Sequence, residues 1–125
     1  MHRSQLAGFI IDCKTDDLDA AARFWGEALG LTRVSDGPPE GSYVPFKREP
    51  NGINIEVQKV EHESRVHLDI ESDDVEAEAA RLEKLGAKRI AKVETWWVME
   101  APTGQRFCIV RPQRANFAAE ANKWE

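Results

Sequence analysis

Residues that could bind a ligand alternate with apolar residues along short segments of this chain. In residues 66–70, His67 and Asp69 alternate with Val66, Leu68 and Ile70. Successive side chains of a β-strand point to opposite faces, so this spacing predicts a strand with one polar and one apolar face. The alternation on the other predicted strands assigns further residues to the same face. This mainly polar, candidate ligand-binding face is made up of Ile10, Asp12, Asn54, Glu56, Gln58, His67, Asp69, Arg106, Cys108 and Val110.

Two aspartates of this face occupy equivalent positions in two similar halves of the chain. Asp12 and Asp69 each lie on the first predicted strand of their half. Either carboxylate could act as a general base, or the two could form structural hydrogen bonds where the halves meet. The polar face itself has two interpretations, the lining of a ligand cavity or a solvated outer surface.

An internal repeat defines the elements that position these residues. The string LGLTRV at 29–34 reappears as LGAKRI at 85–90, and an acidic helix start precedes each copy, at 15–19 and 72–76. A Pro-x-Gly turn follows each copy, at 50–52 and 102–104. Three anchors in the same order indicate two copies of one structural unit.

Each copy predicts a strand, an amphipathic helix and three further strands. Leu18, Ala22, Trp25 and Leu29 form the first helix stripe, begun by Asp16 or Asp17 and ended by Gly30. The later strands are expected near residues 31–35, 42–47 and 53–60 in the first copy and near 88–93, 95–100 and 105–111 in the second.

The predicted fold is therefore α+β, in a single domain of residues 1–125. Two tandem βαβββ modules, about 6–60 and about 64–112, would form a curved eight-stranded sheet around a cavity, with the helices on the outer face. The Ala-rich segment 113–125 is expected to be a helical tail, held to the surface by Phe117 and Trp124, with a functional lid as the alternative.

Composition restricts the class of function. The net charge of −5 argues against nucleic-acid binding, and no apolar run approaches the roughly 20 residues that span a bilayer. The two cysteines, Cys13 and Cys108, show neither zinc-type spacing nor disulfide density, so we expect a cytoplasmic location. The chain contains no phosphate-binding glycine loop and no nucleophile elbow.

Three segments resemble the glyoxalase/bleomycin-resistance/dioxygenase, or vicinal-oxygen-chelate, superfamily, and in particular its glyoxalase-like domain branch. They are DLDAAARFWGEALGL at 17–31, HLDI at 67–70 with DDV at 73–75, and WVMEAPTGQRFCI at 97–109. The resemblance covers about residues 6–112. It implies the fold described above and a homodimer, but it does not define a reaction, because this fold supports many chemistries.

The resemblance also implies where a divalent metal would be held. Ligands in metal-using members come from the first and last strands of each module, which correspond here to Ile10, Glu56, His67 and Cys108. Ile10 has no ligand atom and Cys108 replaces the usual glutamate, so Glu56 and His67 are the metal-ligand candidates. Zn²⁺ would accept a set of Glu, His and Cys, whereas a hard, oxygen-preferring ion would not favour the thiolate. This departure makes methylglyoxal detoxification and extradiol ring cleavage poorly supported.

Three functions follow from these observations. The first is a cavity that binds a small organic molecule without a tightly bound metal. In that cavity Trp97, placed near the polar face by the resemblance, would suit a cationic or planar ligand. The second is a lyase, isomerase or related enzyme that uses a divalent ion (Zn, Mn, Ni or Fe) on Glu56 and His67. The third is a structural or regulatory module whose cavity no longer binds anything. No catalytic residue is assigned.

Overall fold

The chain folds into eight strands and three helices, and the computed structural model describes all 125 residues. In chain order the elements are β1 (His2–Lys14), α1 (Leu18–Leu29), β2 (Tyr43–Pro45), β3 (Asn54–Val60), β4 (Arg65–Ser72), α2 (Val75–Lys84), β5 (Lys88–Val93), β6 (Trp96–Glu100), β7 (Arg106–Val110), α3 (Phe117–Glu120) and β8 (Asn122–Trp124). The strands belong to one mixed sheet, which confirms the predicted α+β class and the number of strands, although β8 comes from the tail and replaces one of the expected strands. No helix is both long and apolar enough to cross a membrane. The cavity remains a prediction.

The chain divides into two compact units. We call Phe9–Val66 the N-terminal unit, and Met1–Gly8 together with His67–Glu125 the C-terminal unit. Strand β1 contributes its first seven residues to the C-terminal unit and the remainder to the N-terminal unit.

In the N-terminal unit, α1 covers the apolar faces of β1 and β3. Its buried residues Leu18 and Ala22 pack in one cluster with Ile11, Cys13 and Val57, the alternate strand residues expected to face a helix. The Asp17 carboxylate accepts a hydrogen bond from the backbone N–H of Ala20 and so begins the helix. Gly30 ends the helix in the left-handed conformation, as predicted.

The prediction of a strand at residues 31–35 is wrong. The segment forms a single bridge, between Arg33 and Phe46, flanked by a hydrogen bond from the Val34 N–H to the Pro45 carbonyl oxygen. Pro45 has no N–H to donate back, so the ladder stops there. The proline- and glycine-rich residues 36–41 that follow adopt no regular structure.

In the C-terminal unit, four strands are hydrogen-bonded in the order β4-β7-β6-β5. The β4–β7 pair is parallel and the other two pairs are antiparallel. Helix α2 covers one face of these strands, where Ala79 packs with Met99, Phe107 and Ile109. The opposite face carries the candidate site.

The tail differs from the predicted helix. It contains one helical turn, α3, followed by β8, which pairs antiparallel with β1 through His2 opposite Trp124. The Trp124 indole N–H donates to the Ser4 hydroxyl at 2.8 Å, and the Arg81 guanidinium lies 3.8 Å from the indole ring centroid. Phe117 is buried. Contacts made far along the chain therefore override the helical composition of the tail.

Candidate functional site

His67, Asp69 and Cys108 lie side by side on the face of the β4–β7 pair that α2 does not cover. Asp69 is directly opposite Cys108 in the parallel ladder, and His67 precedes Asp69 by two residues on β4. The distance from His67 Nε2 to Asp69 Oδ1 is 3.4 Å. One potential ligand atom of each residue lies within 4.8 Å of those of the other two. The structure thus brings together three of the residues assigned to the polar face.

The Asp69 carboxylate is buried without a full set of partners. The residue is 9 % exposed, and its Oδ1 accepts no hydrogen bond. Nearly all buried polar atoms in native proteins are hydrogen-bonded, because an unsatisfied one costs about 1–3 kcal/mol. The imidazole 3.4 Å away forms an ion pair with Asp69 only when it is protonated. A bound group that donates to Oδ1 would remove this cost.

The same face continues onto β6, where it carries Trp96 and not Trp97. Cys108 is directly opposite Val98, and Ile109 is directly opposite Trp97. Trp96 and Val98 therefore share the face of Cys108, whereas Trp97 shares the α2-covered face of Ile109. The prediction that Trp97 lies near the polar face is wrong, because the register of β6 with β7 places Trp96 on that face instead.

Trp97 has its own partners on the α2 side. Its indole N–H donates to the Glu76 carboxylate at 2.7 Å, and its ring lies 4.8 Å from the Arg89 guanidinium and 5.3 Å from the Lys92 ammonium group. The hydrogen bonds from Trp97 and then from Arg89 lower the pKa of Glu76. These contacts attach β5 and β6 to α2, which is a structural role.

Glu71 is a buried carboxylate of this face that the sequence analysis did not single out. It continues the alternation of His67 and Asp69 along β4 and is fully buried. Its Oε1 accepts the backbone N–H groups of Gln113 and Arg114 at 3.3 and 3.2 Å. Its Oε2 accepts no hydrogen bond but lies 3.4 Å from Arg114 Nε. Its place in the alternation is visible in the sequence, but its contacts with the tail are not.

Arg106 and Val110 flank Cys108 on the same face of β7. Arg106 Nε lies 3.3 Å from the Glu100 carboxylate on β6, and Val110 is directly opposite Glu71. The charge of Arg106 is therefore compensated within this unit.

The remaining predicted site residues belong to the N-terminal unit. Ile10 is buried, as is Asp12, whose Oδ2 lies 3.9 Å from Arg65 Nε. Three partly buried polar residues alternate with Ile55 and Val57 along β3, namely Asn54, Glu56 and Gln58. The joint use of Glu56 and His67 as metal ligands stays a prediction.

The donors of the C-terminal unit fit a zinc-type ion. His67 offers an imidazole nitrogen, Asp69 an oxygen without a hydrogen bond, and Cys108 a sulfur. Zn²⁺ accepts all three donor types, whereas Mg²⁺ prefers oxygen ligands only. Adjacent donors around a tetrahedral zinc lie roughly 3.4–3.7 Å apart, so the cluster would close slightly around such an ion. Asp69 thus adds a ligand candidate that the resemblance did not indicate.

In each unit a helix packs on one face of the strands, and in the C-terminal unit the polar donors lie on the other face, as expected of the vicinal-oxygen-chelate superfamily. A family model described as "Glyoxalase-like domain" matches residues 8–110, and the chain belongs to this family. The resemblance found in the sequence is therefore confirmed. A search of curated proteins finds no match.

Solved structures with low sequence identity share the fold. Methylmalonyl-CoA epimerase from Mycobacterium tuberculosis is 18% identical over 91% of this chain and 91% of its own, with a TM-score of 0.60. The hypothetical protein BH1468 from Bacillus halodurans C-125 is 13% identical over 89% and 96%, with a TM-score of 0.63. An extradiol ring-cleaving dioxygenase from B. fuscum is 14% identical over 95% of this chain and 34% of its own, with a TM-score of 0.57. At these identities the likeness establishes the fold alone.

Proposed function

We propose that this chain binds a small organic molecule on the face of β4 and β7 that carries His67, Asp69 and Cys108, without a tightly bound metal. The observation that carries this proposal is the buried Asp69 Oδ1, which accepts no hydrogen bond. An N–H or O–H group of a ligand would complete it. Ile10 supports the metal-free form, because it supplies no donor at a position where metal-using relatives place a ligand.

Nuclear magnetic resonance titration of the ¹⁵N-labelled chain tests this proposal. The probes are benzamidine, benzamide, phenol and benzoate at millimolar concentration. We expect at least one of them to shift the amide signals of residues 67–69 and 107–109, and Asp69→Asn to weaken that response. Glu83→Gln, on the exposed side of α2, is the matched control and should leave it unchanged. Shifts confined to other regions, or none from any probe, would refute binding at this face.

A divalent-metal-dependent lyase or isomerase is the second candidate. It is favoured by the three different donors of His67, Asp69 and Cys108, whose ligand atoms lie within 4.8 Å of one another. These residues would hold a zinc-type ion, which would supply Lewis-acid polarisation of a substrate oxygen. The protein itself would hold the three donor side chains on adjacent strands and orient the substrate.

Elemental analysis separates the two candidates. The protein is purified without chelator or affinity metal, then incubated with Zn²⁺, Mn²⁺, Ni²⁺ or Fe²⁺ and freed of excess ion. Near-stoichiometric zinc that is lost in His67→Ala and Asp69→Asn would favour the enzyme. If Glu56→Ala loses the metal, the ion is assigned to Glu56 and His67, the pair implied by the resemblance. Retention of no metal under any condition would reject the enzyme and leave the organic ligand.

Two further properties stay predictions. A homodimer is expected from the family resemblance, and a cytoplasmic location from the sparse cysteines. A structural or regulatory module is the remaining interpretation, and it predicts that no compound raises the thermal stability of the chain.

A further inference from the structure

The face that carries Asp69 is not uniform across the C-terminal unit. Cross-strand partners place Asp69 opposite Cys108, Cys108 opposite Val98, and Val98 opposite Ala91. Residues directly opposite each other point to the same face, so these four form one row across β4, β7, β6 and β5. Neighbouring strands lie about 4.8 Å apart, so the row spans roughly 14 Å. It begins at a carboxylate and continues over small, uncharged side chains.

Asp69 stands apart from the charged residues beside it. On the same strand, Glu71 Oε2 also lacks a hydrogen bond, but it lies 3.4 Å from the permanently charged Arg114 guanidinium, and Oε1 accepts two backbone N–H groups. On β7, Arg106 is paired with Glu100 at 3.3 Å. The Asp69 Oδ1 lacks a hydrogen bond and lies 3.4 Å from the His67 imidazole, which is charged only when it is protonated. A ligand group placed there is stabilised most if it carries both an N–H and a positive charge.

A tryptophan borders the uncharged part of the row. Trp96 lies two residues before Val98 on β6, on the same face, and is directly opposite Val93 on β5. It is partly exposed, unlike a core residue. The flat indole lies beside the small side chains of Cys108, Val98 and Ala91. It therefore favours the planar, apolar part of a ligand by stacking, and its ring face attracts a cation.

From this arrangement we infer that the ligand is a small organic cation. Its amidinium or ammonium group binds Asp69, and its planar part lies along Cys108 and Val98 beside Trp96. This inference rests on the proposed function. Trp96 is then a residue that determines specificity, whereas Trp97, on the opposite face, is not.

Benzamidine is the probe, because it combines an amidinium head with a planar ring. Binding is followed by amide shifts of residues 69, 98 and 108. Benzamide keeps the ring and loses the charge, benzoate reverses the charge, and guanidinium keeps the head without the ring. We expect each of these three compounds to bind at least about tenfold more weakly than benzamidine.

Three variants assign the contacts. Asp69→Asn should weaken benzamidine binding about tenfold, because it removes the charge and keeps the shape. Trp96→Ala should weaken it about fivefold, and Trp96→Phe, which keeps a flat ring, should recover most of the loss. Trp97→Ala is the matched control on the other face and should leave affinity unchanged. Amide spectra without probe verify that each variant is folded.

The outcomes separate this inference from the proposed function. If benzamide, phenol or benzoate binds this face and benzamidine does not bind more tightly, the cation class is wrong while the organic ligand stands. If no probe shifts these amides, both are wrong. If benzamidine binds but Trp97→Ala weakens it as much as Trp96→Ala does, the role of Trp96 is refuted.

Discussion

We expect the substitution Glu78→Ala to lower the free energy of unfolding by about 3 kcal/mol. Glu78 lies on α2 and is fully buried. Its two oxygens accept from Arg81 Nε at 2.8 Å and from an Arg81 terminal nitrogen at 2.9 Å, a bidentate pair. His2 Nε2 lies 2.8 Å from Oε1, and the Ser4 hydroxyl also contacts the carboxylate. The site therefore joins α2 to the start of β1.

The magnitude follows from what alanine would leave behind. Removing one partner of a buried ion pair costs about 3–5 kcal/mol, because the other charge stays buried without compensation. The Arg81 side chain is 25 % exposed, so it can regain water and the cost falls to the lower end. Glu78→Gln keeps the volume and an acceptor oxygen, so about 1–3 kcal/mol is expected.

The assay is urea denaturation followed by circular dichroism at neutral pH. Glu83→Ala, on the same helix, removes a pair with Arg89 in which the Glu83 side chain is 44 % exposed, and should cost less than about 1 kcal/mol. If Glu78→Ala costs no more than Glu83→Ala, the buried network does not stabilise the fold and our reasoning is refuted.

The same network predicts a pH dependence of stability. Burial by itself would raise the pKa of Glu78, but hydrogen bonds from Arg81, Ser4 and His2 outweigh it and hold the pKa below its ordinary value. A carboxyl group whose pKa is lowered in the folded state stabilises the fold at pH values above its unfolded-state pKa of about 4.3. This stabilisation is lost as the pH falls through the folded-state pKa. The stability gap between the natural protein and Glu78→Gln should therefore shrink below about pH 4.3.

Three further predictions use the same denaturation assay. Gly26→Ala should destabilise the protein by about 1 kcal/mol, because a Cβ there would lie 3.1 Å from the backbone carbonyl oxygen of Leu31; a gain in stability would show that the helix end can shift. Trp124→Ala should cost about 1–2 kcal/mol by removing the ring against Arg81, and an unchanged midpoint would mean that β8 does not hold the tail. Asp69→Asn should leave stability unchanged or raise it, and a loss above about 1 kcal/mol would show that Asp69 is structural.

The elements that the sequence predicts well are those determined by local chemistry. The stripe beginning at Leu18 and Ala22, the cap at Asp17 and the glycine at position 30 act within a few residues, and α1 has the expected extent. The strand predicted at 88–93 matches β5 for the same reason, since alternation and bounding turns are local signals.

The features that the sequence does not predict depend on distant partners. The residues that begin β1, including His2 and Ser4, are polar and buried, and they form a strand because Glu78 and Trp124 satisfy them. Neither partner is visible from the local sequence. The adjacent residues Trp96 and Trp97 pose a different difficulty, since only the register with β7 decides which of them shares the face of Cys108.

The buried carboxylates of the C-terminal unit explain why the candidate site is centred on Asp69. Glu78 accepts a bidentate pair of hydrogen bonds from Arg81. Glu71 accepts two backbone N–H groups on Oε1, while its Oε2 accepts no hydrogen bond but lies 3.4 Å from the Arg114 guanidinium. Asp69 lies on the same strand as Glu71, but its Oδ1 accepts no hydrogen bond and lies 3.4 Å from the imidazole of His67, which is charged only when it is protonated. Glu78 and Glu71 are each held beside a permanently charged guanidinium, whereas Asp69 Oδ1 is held beside an imidazole, so the missing partner of Asp69 is best explained as a group that arrives with the ligand.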